Sequence, residues 1–163
     1  MSKFTDLCDA YNAARRSTLA YHARSCAFGA ELIQRFRDYL EIPTGNFRVV
    51  PLHEEALEGR QYSIAGAMHM HDDGYWHLGG RLTLDPDGAP KQVIVLRFMF
   101  KGAEGGYLVK MSPEGFDHAI RSGDQPSFTQ FFESVQGAIT EYYAGSSERG
   151  LDPSTTNTFG FIA

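Results

Sequence analysis

The 163 residues are 42% hydrophobic and include twelve Phe and eight Tyr, enough apolar material for one compact core. A formal net charge of −5 argues against a nucleic-acid partner, which needs a basic face, and Lys91, Lys101 and Lys110 are too scattered to form one. No apolar run approaches the length of a membrane span, and Met1 to Asp9 lacks the basic start and apolar stretch of a leader, so a cytoplasmic protein with no membrane partner is expected.

Phe4, Leu7, Cys8, Tyr11 and Ala14, then Phe28, Leu32, Ile33, Phe36 and Leu40, recur at helical spacing. "RSCAFGA", with Gly29, either breaks this region into two helices or makes a thin contact surface within one. Pro43 and Gly45 stop it. Cys8 and Cys26 lie 18 residues apart, and a continuous helix would separate them by about 27 Å. That distance forbids a disulfide, and two buried thiols are expected.

Beyond Phe47 the period alternates, and strands are expected over 47–52, 61–71, 75–85, 91–101 and 106–111. The connections "DDG", "DPDGAP" and "GAEGG" are short and rich in turn residues, which suits antiparallel hairpins. "SPEGFDHAIRSGD" reads as a short helix with Ser112 as N-cap and Pro113 following, ended by Gly123. A second helix opens at "SFTQ", where Ser127 and Gln130 have capping-box spacing and Phe128, Phe131, Phe132, Val135, Ile139 and Tyr142 form one stripe that Gly145 closes. Residues 146–163 read as a loose polar tail, save that Phe159, Phe161 and Ile162 can dock as an extra strand or on a neighbouring subunit. The expected fold is a single α+β domain over 1–163: a five-stranded antiparallel meander with N-terminal and C-terminal helices packed on one face.

Even positions of 61–71 (Tyr62, Ile64, Gly66, Met68, Met70) and of 75–85 (Trp76, Leu78, Gly80, Leu82, Leu84) form the core face. For Met70 to meet Trp76 the hairpin loop must be Asp72, Asp73 and Gly74, with glycine in the left-handed position. This register sets His69 opposite His77 and His71 opposite Tyr75, so three imidazoles project from the other face. Three such rings can cap one side of a divalent ion, Zn²⁺ above all, leaving positions for water, with Asp72 or Asp73 as supporting groups. The same pattern also describes an ordinary wet sheet face.

That face is not uniformly polar. Ala65, Ala67 and Gly79, with Val93, Val95 and Met99, imply a cover supplied by a helix, the tail or a second subunit. Ala65, Ala67, Tyr75, Gly79 and Arg81 are the expected partner- or ligand-binding set. "KGAEGGY" lacks the ending of a phosphate loop. His22, His53 and His118 read as solvated or capping groups, and no catalytic set is visible. Two functions follow. One is a non-catalytic binding or adaptor domain, homo-oligomeric, engaging a protein or small molecule through its sheet face. The other is a zinc-dependent hydrolase or metal-binding protein built on His69, His71 and His77.

Overall fold

Helix α1, Lys3–Leu40, opens with the Ser2 hydroxyl accepting the Thr5 N–H at 3.1 Å and runs 38 residues without a break. In the computed structural model, which describes residues 2–145 and 156–159, Gly29 is a contact point, not a hinge. A side chain there would press on Ile64 Cγ2 at 3.2 Å and Phe100 Cζ at 3.3 Å. The helix ends at Glu41, whose left-handed φ of 51° turns the chain toward Pro43.

Next come β1 (Phe47–Val50), the one-turn helix α2 (Ile64–Ala67), β2 (His69–Met70), β3 (Trp76–Leu84), β4 (Gln92–Ala103), β5 (Gly106–Lys110), β6 (His118–Ile120), α3 (Gln125–Ala144) and β7 (Thr156–Phe159). The fold is α+β, with terminal helices and an antiparallel sheet ordered β1-β3-β4-β5-β6. The short β2 pairs with β3, and β7 returns to pair with β4 in parallel. Thus Phe159 does fall in an added strand, whereas Phe161 and Ile162 lie outside the described residues.

Alternation on β4 makes the core. Ile94, Leu96, Phe98 and Phe100 are all fully buried, as are Phe36 and Leu32 of α1 and Phe128, Phe132 and Val135 of α3 on the same side. Each such side chain contributes about 1.5–3 kcal/mol by leaving water. Phe36 packs at ring-centroid distances of 5.6, 5.4 and 5.5 Å against Phe47, Phe98 and Phe132, joining both helices to the sheet.

Three elements depart from the sequence expectation. Residues 61–71 are not one strand: the Ser63 hydroxyl accepts the Gly66 N–H at 3.0 Å and caps α2, so only His69 and Met70 pair. Residues 112–124 hold no helix. Gly115 closes a tight turn onto the Ser112 carbonyl, and His118–Ile120 pair with β5, which buries Ile120. Helix α3 begins at Gln125, before Ser127, with Pro126 in its first turn. Ser127 Oγ donates to the Asp124 carbonyl at 2.8 Å instead of acting as the cap.

Cys8 is exposed and Cys26 half-buried, against the expectation of two buried thiols. The reason lies in α1 itself: every residue from Ser2 to Ala20 is exposed, and burial begins only beyond Tyr21. About 27 Å of helix, 18 residues at 1.5 Å each, therefore extends past the packed body. Among the described residues no helix is long and apolar enough to cross a membrane.

Candidate functional site: an imidazole column beside a tight hairpin

The β2–β3 loop is Asp72, Asp73 and Gly74. Gly74 has a φ of 81° and donates its N–H to the His71 carbonyl at 3.0 Å, while the His71 N–H reaches the Tyr75 carbonyl at 3.1 Å. His69 stands opposite His77, and Met70 opposite Trp76. Met70 nevertheless remains 38% exposed at the sheet end. The Asp73 carboxylate binds the loop twice, accepting the Tyr75 N–H at 2.9 Å and lying 3.0 Å from His77 Nε2.

The three hairpin imidazoles do come together, and a fourth joins them. His71 stacks on His77 with centroids 3.6 Å apart and planes 19° from parallel; His69 meets His71 edge-on at 5.3 Å. His53, from the charged connector after β1, stacks on His69 at 4.4 Å. The column runs from the exposed His53 and His69 through the half-buried His71 to His77, which is only 2% exposed. His53, expected to be a solvated or capping group, is exposed yet joins the column. Extending the β1–β3 register past the Val50–Gly79 pair brings Leu52, not His53, level with His77, so no sequence pattern singles out the fourth ring.

Burial first, and His69 second, holds the His71 imidazole below its ordinary range. Burial does the same to His77, against the opposing pull of its hydrogen bond to Asp73. Burial alone would raise the Asp73 carboxyl, but the Tyr75 N–H and His77 outweigh it and keep it low. Two buried ring nitrogens, His71 Nε2 and His77 Nδ1, have no hydrogen-bond partner among the described residues. Stacked rings send their lone pairs out side by side, not toward a common point. Consistently, among the described residues no three His, Cys, Asp or Glu side chains are placed to hold a metal ion.

The other expected binding residues do not form one surface. Ala65 is exposed on α2, but Ala67 is fully buried in the main core. Gly79 is covered by the chain's own β1 and its continuation, since a Cβ there would lie 2.6 Å from the Val50 carbonyl oxygen and 2.7 Å from Leu52 Cδ2. Arg81 is half-buried opposite Arg48. Tyr75 is buried, donates its hydroxyl to Asp117 Oδ1 at 2.8 Å, and carries the ammonium groups of Lys101 and Lys110 at 4.7 and 4.5 Å from its ring. Burial, then Asp117, pushes that hydroxyl up to about 12.

Arg97, unremarked in the sequence, is 8% exposed opposite Gly79, and its Nε has no hydrogen-bond partner among the described residues. His118 is not a surface group on a helix. It lies on β6 with its ring edge-on to Phe131 at 5.2 Å, and burial lowers its pKa. No family model, curated protein or solved structure matches the chain, so any functional reading rests on this geometry.

Proposed function

We propose that the protein is a non-catalytic binding or adaptor domain of the cytoplasm, acting as a homo-oligomer whose association surface is the bare half of α1. The observation that carries this reading is the exposure of Phe4, Leu7, Tyr11 and Leu19, at 74%, 70%, 66% and 52%. At about 100° per residue, Phe4, Leu7 and Tyr11 lie on the same side of the helix as Gly29, Leu32 and Phe36. One apolar seam thus serves two stretches, of which, among the described residues, only the second is covered. Charge selects the partner. Asp6 and Asp9 precede Arg15 and Arg16, so a second copy laid antiparallel brings acid against base, whereas a parallel copy sets like against like.

Sedimentation equilibrium of the full chain tests it. A dimer is expected in the micromolar range, and Leu7→Asp with Tyr11→Asp is expected to give monomers with an unchanged circular dichroism spectrum. A wild-type chain that stays monomeric, or a dimer indifferent to both changes, refutes the assignment. Ala67 is unsuitable for such a test because its substitution would strike the core.

A second reading, a Zn²⁺-binding protein with hydrolytic chemistry at the ion's bound water, is favoured by the two unpartnered nitrogens of His71 and His77. It requires His71 to rotate off the His77 ring so that both can face one ion. Stoichiometric metal in untagged protein, and a rise in melting temperature on adding zinc that His77→Ala abolishes, would support it. Substoichiometric metal with no thermal response would remove it.

A further inference from the structure

Apart from both features, three arginines line one cleft. Arg37 comes from the last turn of α1, Arg48 from β1 and Arg60 from the connection before α2, and together they line an open hollow of about 550 Å³. Two glycine turns shape its rims, Gly45 at φ 93° and Gly59 at φ 76°. Among the described residues no Asp or Glu lines it and none makes an ion pair with these arginines, in a chain whose net charge is −5.

Backbone carbonyls and rings hold the guanidinium groups in place. Arg37 Nη2 donates to the Phe47 carbonyl at 3.2 Å, with its Cζ 5.2 Å from the Phe47 ring centroid. Arg48 Nη1 donates to the Arg60 carbonyl at 3.2 Å, and the Arg60 Cζ stands 5.0 Å from the Tyr62 ring centroid. Tyr62 in turn accepts the Leu57 N–H at 2.9 Å, which fixes the connecting loop. These bonds use one donor on Arg37 and one on Arg48, and the buried Arg37 Nε has no hydrogen-bond partner among the described residues.

Three cations gathered without an acid repel one another, and folding into this arrangement lowers the free energy of any anion that enters. A monoanion would leave two charges uncompensated, whereas a dianion with several acceptor oxygens matches forked guanidinium donors best. The hollow exceeds the size of a bare phosphate, and the Phe47 and Tyr62 rings stand beside the charges. We infer that this cleft binds a small phosphate monoester, its phosphoryl group held by Arg37, Arg48 and Arg60 and its organic part laid along the partly exposed Tyr62 ring.

Isothermal titration calorimetry of the full chain in low-chloride buffer, with phenyl phosphate, inorganic phosphate and benzoate as probes, tests it. Saturable binding of phenyl phosphate at one per chain is expected, weakened about tenfold or more by Arg48→Ala and by Arg60→Gln. Phenyl phosphate binding more tightly than inorganic phosphate supports the monoester. Equal affinity supports only the phosphoryl half of the site and overturns the organic half. No saturable binding, binding unchanged in both variants, or benzoate binding as tightly as phenyl phosphate overturns the inference. Arg60 is exposed, so Arg60→Gln decides the matter even where Arg48→Ala fails to fold. Failure here leaves the α1 reading untouched, because the cleft takes no residue from Ser2 to Ala20.

Discussion

The two halves of α1 carry the same kind of apolar spacing and meet opposite fates. Beyond Tyr21 the seam is Phe28, Gly29, Leu32, Ile33 and Phe36, all buried against the sheet and α3. Before it the seam is Phe4, Leu7 and Tyr11, with nothing of the described chain upon it. Amphipathic periodicity shows which face of a helix seeks cover, but the element opposite decides whether cover is found within the chain. The contrast also shows why the helix holds together: its buried half is anchored by packing, while its bare half depends on the Ser2 cap and helical propensity.

The sharpest way to break this comparison is to truncate one ring in each half. Phe36→Ala should cost about 3–5 kcal/mol through lost burial and the cavity left behind. Leu7→Ala, measured by urea unfolding at concentrations low enough for monomers, should stay within about 0.5 kcal/mol. Equal losses would mean that the N-terminal half docks on its own body after all. Glycines extend the contrast with a smaller effect. Gly79→Ala pushes a methyl group into the Val50 backbone and should cost about 1–3 kcal/mol.

Acid provides a third probe, aimed at the imidazole column. His71 and His77 have folded pKa values below the ordinary 6.5. In the window between those values and 6.5 the unfolded chain binds more protons than the native one. Stability is therefore complete above 6.5 and drains away as pH falls through the window. Asp73, whose carboxyl is held below 3.8, removes a further part at more acid pH. Melting temperature should decline from neutrality toward pH 5 or so in the wild type and more shallowly in His77→Gln, the slope being limited to about one proton per histidine. Identical slopes would show that the stacked rings do not hold their protons off. The smallest effect has the opposite sign: Gly137→Ala, in open space on α3, should raise stability by about 0.5–1 kcal/mol.

The hairpin was legible because three constraints agreed there. Apolar alternation, a loop of turn-forming residues and one glycine suited to positive φ all demanded that Met70 face Trp76, and the histidine cluster followed from that register. The edge-on meeting of His69 with His71 and the recruitment of His53 were not legible, since side-chain rotation and a loop's return path leave no period in the sequence. Likewise Ser112, Pro113 and Gly115 serve a helix start and a tight turn equally well. The outcome was decided by β5, which offered a paired edge that buries Ile120. At 61–71, alternation concealed Ser63, whose cap withdraws Ile64–Ala67 from the sheet. Nor could the tail's spacing show that Thr156–Phe159 would return alongside β4.

The overhanging rod of α1 has a hydrodynamic consequence. A body with about 27 Å of unsupported helix drags more solvent than a sphere of its 18.1 kDa mass, so a single copy will elute early from a sizing column and can pass for a pair. Two copies joined along their rods would hide much of that overhang, and doubling the mass would then raise the Stokes radius by less than two separate bodies suggest.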